Sequence, residues 1–577
     1  MTFALTNTLW LLMGAMLIFF MQAGFSMLET GYTRAKNAGN IVLKSFISVS
    51  ASILVFWFLG FSLMFNGTGP MVGSLDLFTR GDYSMGGSFA SSAFVLFQTV
   101  YCAAAVTIVL GAMAERTKLL AFILYGAAIA LLIFPISGHW IWGGGWLASL
   151  GFHDYTGAAV VHMVGGGAAF FGAKLVGPRI GKYNKEGQPR AIPGHNLTQG
   201  ALGVLILWFC WFGLTASAEI FQDGIEAVDA ASTAILNTNL AAAAATLVGA
   251  AVTKLRYKKP DISVIMNCTL AGLVAISSGA DVVSPLGSIL TGTVAAVVAV
   301  FSIEFVERRA QVDDPVGASS VHGICGMLGI LMTGLLSTSE GLLYGKGIRL
   351  LGVQLLGIVA VGVWIMFVSY LVLQGINNTV GLRIDKQEEV KGLNTEEYGT
   401  LINEEDFSVT GALDTPQAPI ANPNDQFITF TKPIPVDEAV PVAHVPQKKP
   451  AAGKDGLKMT LVTIITKESK FESLKSAMDK IGITGMTVTQ VMGCGVQRGN
   501  TDEFYRGVPL DMTLLPKVKV DIVICKVPLE TVIKTAKKVL YTGHIGDGKI
   551  FVSDVENVIK VRTGEEGFDA LQDEVEE

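Results

Sequence analysis

Two histidines stand in matching surroundings 160 residues apart, each inside a stretch apolar enough to cross a bilayer. One ends the run Asp154-Tyr-Thr-Gly-Ala-Ala-Val-Val-His162, the other the run Asp314-Pro-Val-Gly-Ala-Ser-Ser-Val-His322, so D-x-x-G-A-x-x-V-H-x-x-x-G occurs twice. Ionisable side chains in membrane spans are costly and mark functional sites by default. A lone membrane histidine can serve only as a hydrogen bond between helices; recurrence in register favours one shared site. Two adjacent imidazoles donate and accept through different nitrogens, so a pair can relay a proton while its rings line a narrow apolar lumen. Asp154 and Asp314 lie eight residues upstream, about two helical turns away. That is too far for direct pairing, and it suits helix capping or loop anchoring, with Asp154 adding pull on a cation.

Aromatic residues supply a second kind of chemistry. Trp142, in Trp140-Ile-Trp142-Gly-Gly-Gly145, precedes the first histidine span. Its indole face attracts a cation by about 0.5–2 kcal/mol, and tryptophan also anchors spans at the interface; both readings stay open here. Tyr101, and Trp211 with Leu214 in the run Trp211-Phe-Gly-Leu214, are further candidates.

These residues need membrane helices to position them. Of 577 residues 51% are hydrophobic and only 16% charged, and the mean hydropathy is +0.50, too apolar for an ordinary soluble chain. Eleven spans are predicted, near 8–29, 42–65, 91–112, 119–137, 157–177, 197–218, 232–252, 262–279, 282–303, 317–338 and 348–375. Sixteen Lys and Arg, among them Arg34, Arg116, Arg179, Lys254 and Arg308, collect after the odd spans, against Arg80, Lys346 and Arg349 on the other side. The positive-inside rule then puts the N-terminus outside and the C-terminus in the cytoplasm. Five spans per repeat invert topology, which predicts a 5+5 inverted repeat with His162 and His322 meeting near the midplane. The net charge of −6 gives no basic signature for nucleic acid. Six scattered cysteines form no C-x-x-C pair and read as reduced packing residues. No Lys or Arg precedes Arg34, so the first apolar run reads as a span rather than a cleaved signal.

Residues 1–398 resemble the ammonium transporter family, on Met21-Gln-Ala-Gly-Phe, Arg34-Ala-Lys-Asn37, Gly111-Ala-Met-Ala-Glu-Arg116, Trp142-Gly-Gly-Gly, Asp154 through His162, Gly194-His-Asn-Leu197, Asp313-Asp-Pro, Val321-His-Gly-Ile-Cys-Gly326 and Gly381-Leu-Arg383. The resemblance implies an eleven-span homotrimer in the cytoplasmic membrane with one pore per subunit. It further implies a twin-histidine pair at His162 and His322, an outer recruitment site at Trp142, and Asp154 supporting ammonium at the pore mouth. This chain departs from the family pattern at the gate. Tyr101 and Leu214 stand where two phenylalanines usually stack, and Ala218 where a serine usually completes the cation site.

Residues 399–456 form a Pro-rich linker of about 57 residues, with an r.m.s. span of roughly 40 Å. From Lys458 the pattern is βαββαβ, the ferredoxin-like α+β plan. Residues 457–577 resemble the PII signal-transduction proteins, on Ile481-Gly-Ile-Thr-Gly-Met-Thr487-Val, Gly493-Cys-Gly-Val-Gln497, Phe504-Tyr-Arg506-Gly, Leu515-Pro-Lys517, Thr542-Gly-His-Ile-Gly546-Asp547-Gly548-Lys549 and Val561-Arg562-Thr-Gly. The resemblance implies ATP or ADP bound by Thr487, Gly546, Asp547, Gly548, Lys549, Lys560 and Arg562 in clefts between subunits. It implies 2-oxoglutarate with Mg near Gln497 and Lys517, and Arg506 at the tip of a loop that plugs the pore exit. The expected function is an ammonium channel or transporter gated by its own tethered regulator through ATP, ADP and 2-oxoglutarate. The alternative is an ammonium receptor with little flux that signals to the PII domain. A nucleotide-hydrolysing enzyme has no P-loop or nucleophile–base pair to support it, and no permanent metal is expected.

Overall fold

The computed structural model describes residues 2–218, 224–394, 459–467, 470–483, 485–493, 504–505, 508–509, 515–541, 547–561 and 564–571. The expected linker at 399–456 lies outside them, as do Gln497, Arg506, Gly546 and Arg562. The chain forms two compact units, one helical and one built on a sheet.

In the helical unit, ten helices among the described residues are long and apolar enough to cross a membrane. They are α1 (Leu5–Tyr32), α2 (Ala35–Phe65), α3 (Ser91–Ala112), α4 (Leu119–Leu150), α5 (Ala158–Val176), α6 (Leu197–Ala216), α7 (Glu226–Tyr257), α9 (Pro285–Arg308), α10 (Ser319–Leu336) and α11 (Arg349–Thr379). The eighth expected span is a shorter apolar helix, α8 (Ile262–Ile276), of 15 residues. Asp261 starts it by accepting the Val264 N–H at 3.2 Å. Leu9, Met13 and Phe20 on α1 and Val359, Val363 and Phe367 on α11 turn outward, the surface a bilayer requires. A short helix, α12 (Lys386–Lys391), follows α11 and opens with a capping box between Asp385 and Glu388.

Both histidine helices begin irregularly. Residues Ala158–Met163 of α5 and Ser319–Ile324 of α10 are wound as π-helix before the α-helical winding resumes. The two helices cross where Gly166 meets the backbone of Gly323, an approach that a Cβ on Gly166 would block.

The second unit is a four-stranded antiparallel sheet of β1 (Thr460–Thr466), β2 (Thr487–Gly493), β5 (Leu515–Ile524) and β6 (Lys549–Asp554), in the order β2-β5-β1-β6. Helices α13 (Phe471–Asp479) and α14 (Leu529–Leu540) cover one face. Burial alternates along β1, so Val462 and Ile464 join Val520, Ile522, Leu474, Met478, Val532 and Ala536 in the core. Between β2 and β5, the short strands β3 (Phe504–Tyr505) and β4 (Val508–Pro509) pair as a hairpin.

Candidate functional site

Each aspartate of the repeated motif closes on the helix that carries its histidine. Asp154 Oδ1 accepts the N–H groups of Gly157 and Ala158 at 3.1 and 2.7 Å, and Oδ2 those of Ala159 and Val160 at 2.8 and 3.0 Å. Asp314 repeats this with the amides of Gly317 at 2.9 Å and Ser319 at 2.7 Å, and adds the Ser319 hydroxyl at 2.7 Å. The turn between carboxylate and helix puts Gly157 at φ 101° and Gly317 at φ 80°, a left-handed backbone that explains glycine at both places. Burial pushes the Asp154 carboxyl up to about 6, against the pull of the Val160, Ala159 and Ala158 amides.

The two histidines meet. His322 Nδ1 and His162 Nδ1 are 3.1 Å apart, with the rings 25° from parallel and centroids 5.2 Å apart. Trp211 stacks on His162 at 5.1 Å and 15°, and its Nε1–H donates to Ser277 Oγ at 3.0 Å. Phe25 approaches His322 at 6.0 Å. In a Nδ1–Nδ1 hydrogen bond between neutral rings, one ring keeps its proton on Nδ1 and the other on Nε2. The pair therefore offers one accepting and one donating Nε2; a proton taken up at the accepting Nε2, handed across the Nδ1–Nδ1 contact and released from the other Nε2 exchanges the two roles with both rings neutral again. His162 Nε2 is buried with no partner among the described residues, free to meet a small polar guest.

On the Trp142 side is a cavity of about 280 Å³ lined by Tyr101, Trp142 and Ala218 together with Phe97, Gln98 and Tyr155. Trp142 is steered by its Nε1–H, which donates to the Asp154 carbonyl at 2.7 Å. The Tyr101 ring meets Trp142 edge to face at 5.6 Å, and its hydroxyl donates to the Leu214 carbonyl at 3.2 Å. Tyr101, a lining residue of this cavity, is thus tied to the α6 backbone. Asp154, Trp211 and Leu214 do not line the cavity. Asp154 is joined to its lining through the Trp142 indole, and Trp211, a candidate for the outer recruitment site and gate, packs on His162.

Sequence reasoning missed the anchoring of the segment after α11. Buried Glu389 accepts the Ile180 N–H at 2.6 Å and pairs with Arg383 at 2.7 Å, and its carbonyl receives Lys36 Nζ at 2.8 Å. Beside it, Arg179 bridges Asp313, at 2.8 and 2.9 Å, and Glu115, at 2.6 Å, while Arg34 also pairs with Glu115. Against burial, Arg179 and Arg116 hold the Asp313 carboxyl well below the usual range. The signal available in the sequence was the density of charge around Arg34, Glu115 and Asp313 at the ends of apolar spans.

In the sheet unit, Asp547, Gly548 and Lys549 line a cavity of about 350 Å³ with Lys537, Tyr541 and Ile550. Gly548 has φ 121°, and a Cβ there would run into the Ile465 carbonyl. Thr466 Oγ1 donates to the Asp547 carbonyl at 3.3 Å. Thr487 stands opposite Asp521 on the edge strand, Lys517 opposite Val491, and Lys560 lies 3.8 Å from Glu565. None of these three lines the cavity within one chain.

The ammonium transporter family model matches residues 9–401, and the nitrogen regulatory protein P-II model matches residues 459–565. Ammonium transporter Amt2 of Archaeoglobus fulgidus is 37% identical over 416 residues, covering 68% of this chain and 87% of that relative. Ammonium transporter 3 of Dictyostelium discoideum is 34% identical over 408 residues, covering 68% and 93%. Among solved structures, one described as a sensor Amt protein superposes with a TM-score of 0.65 at 34% identity, covering 68% of this chain and 98% of its own. Mep2 of Candida albicans gives a TM-score of 0.61 at 25% identity, covering 66% and 87%. With its paired histidines and its helical membrane unit, the chain belongs to the ammonium transporter family and carries a PII nitrogen-regulatory domain on the same polypeptide.

Proposed function

We propose that this protein conducts ammonia derived from ammonium across the cytoplasmic membrane, and that its own PII domain gates the flux. The observation that carries the reading is the buried His162–His322 pair, 3.1 Å apart between Nδ1 atoms. A bare cation at the bilayer centre costs at least about 2.5–3.5 kcal/mol. Splitting ammonium into ammonia and a relayed proton avoids that cost, and K+ and Na+ cannot follow because they carry no proton to give up. The Trp142 cavity faces outward and collects ammonium by cation–π attraction. Asp154 adds negative charge behind it, and Tyr101 with Leu214 forms the gate.

The eleven helices form a 5+5 inverted repeat and assemble as a homotrimer, with the PII domain in the cytoplasm; the charge bias of the connections supports this orientation. The strand order β2-β5-β1-β6 supports a ferredoxin-like domain. A nucleotide fits the Gly548 cleft: the glycine lets the backbone approach phosphates, and Lys549 supplies charge. Thr487, Lys560, Gly546 and Arg562 complete the cleft from within the trimer. Mg with 2-oxoglutarate joins ATP near Gln497 and Lys517 and withdraws Arg506 from the pore exit, whereas ADP favours docking. Tethering keeps the regulator at an effective concentration near about 1 mM.

The test is an ammonium jump on proteoliposomes holding ADP, or Mg-ATP with 2-oxoglutarate, on the PII side. Currents should be low in ADP and rise with 2-oxoglutarate. Arg506→Ala, or removal of 456–577, should abolish the ADP block; unchanged currents would end the gating idea. The Tyr101–Leu214 closure and the likeness to a sensor Amt protein favour a second reading, an ammonium receptor. Ammonium-dependent nucleotide affinity without current would select it.

A further inference from the structure

The histidine pair is not the last polar station in the helical unit. Glu29, on α1, and Asn267, on α8, are 2% and 1% exposed. They line, with His322, Phe25 and Ile108, a cavity of about 10 Å³. Ile108 sits seven residues, about two turns, beyond Tyr101 on α3, so this cavity lies past the histidines from Trp142. Glu29 Oε1 accepts the Gly111 N–H at 3.1 Å. Glu29 Oε2 and both side-chain polar atoms of Asn267 have no partner among the described residues. Buried polar atoms normally find partners, and three orphans facing one small space call for a polar guest. A cavity of this size holds about one water, which is also the size of ammonia or ammonium. The donor set suits it: a carboxylate and an amide oxygen accept from ammonium, and a carboxyl proton meets the lone pair of ammonia.

We propose that Glu29 and Asn267 form an inner ammonium-forming site, where ammonia that has passed His322 recovers its proton. This rests on the reading of the pore as an ammonia path. The Glu29 Oε2–H bond breaks as an N–H bond forms on ammonia, and ammonium leaves. The carboxylate left behind takes the proton that the histidine pair removed from the incoming ammonium. One ammonium enters, one leaves, and both stations return to their starting states. Asn267 holds the guest against Glu29 and is a positioning residue.

The test uses the full chain in proteoliposomes. Glu29→Gln keeps an oxygen for the Gly111 amide but cannot give up or take the proton. Wild type should give a carboxyl band change in the infrared difference spectrum on adding ammonium; Glu29→Gln should lose that band and about ten-fold of the charge movement. Glu29→Asp should restore part of both, and Asn267→Leu should weaken apparent ammonium affinity while keeping a carboxyl band. An unaltered band or an unreduced current in Glu29→Gln overturns the proposal. So does a lost current with the band intact, which would mark Glu29 as structural. Absence of wild-type current overturns the conduction reading alone, and the infrared change then decides whether Glu29 meets ammonium.

Discussion

The Trp211 indole lies flat on the His162 imidazole, 15° from parallel with centroids 5.1 Å apart, and a hydrogen bond to Ser277 fixes its tilt. The His162 ring is therefore held at its Nδ1 edge by His322 and on a face by a tryptophan. Trp211→Leu should free it and lower ammonium-evoked charge movement about ten-fold. Trp211→Phe, which keeps a stacked face, should retain most of it. Ammonium-jump currents on the two variants decide the matter.

Gly157 and Gly317 are left-handed at equivalent places in the two halves. A side chain there costs roughly 1–3 kcal/mol of backbone strain. Gly157→Ala should cost more than this strain alone, because its Cβ also meets Val161 and Trp142. Thermal unfolding in detergent measures both.

Asp154 titrates near 6 because burial disfavours its charge. Above that pH it is negative and supports a cation at Trp142; below it is neutral. Ammonium currents should fall as external pH drops through about 6, and Asp154→Asn should be low at all pH values and lack that step. The folded-state value exceeds that of free aspartate, so the fold holds this proton more tightly than the unfolded chain does. Its contribution to stability is greatest on the acid side and is lost as pH rises from about 4 to 6. A pH series of thermal unfolding should lose that slope in Asp154→Asn.

Arg179 satisfies two buried carboxylates at once. Arg179→Ala should destabilise the helical unit by about 3–5 kcal/mol, the cost of leaving buried charges unpaired. Arg179→Lys should not restore it, since a single ammonium cannot reproduce the fork across Asp313 and Glu115. Thermal unfolding of the three proteins is the measurement.

Lys549 brings a cationic side chain next to Gly548 in the sheet unit's cavity. Lys549→Ala should weaken ATP and ADP binding about ten-fold or more with little loss of stability, because the residue opens an edge strand. Calorimetric titration with each nucleotide gives the answer.

The histidines were readable because the motif repeats, and the capping aspartates because eight residues separate them from any direct contact with the rings. The contact of Trp211 with His162 was not legible. The tryptophan's helix is apolar on nearly every side, so periodicity does not say which face meets His162; the packing of α6 on α1, α7 and α8 decides. Glu29 carried a signal, as the only carboxylate in α1, that repetition elsewhere overshadowed. Glu389 looked like one charge among many in a polar segment, and its partners Ile180 and Lys36 lie more than 200 residues away. The sheet unit was legible as a small domain of strands and two helices because its alternation is strong, while the spatial order β2-β5-β1-β6 was read only from the structure. The unit's nucleotide set was not legible, because residues on separate edges come together only if chains do.

The π winding of Ala158–Met163 and Ser319–Ile324 has a consequence for how this pore tolerates change. A π turn carries one residue more than an α turn. Deleting one residue there lets the turn relax to α-helix and leaves Val164–Val176 and its glycine crossing in place, while the imidazole swings about a quarter turn away. Each winding is a one-residue slack loop, so the aim of the ring can drift independently of the scaffold that holds it.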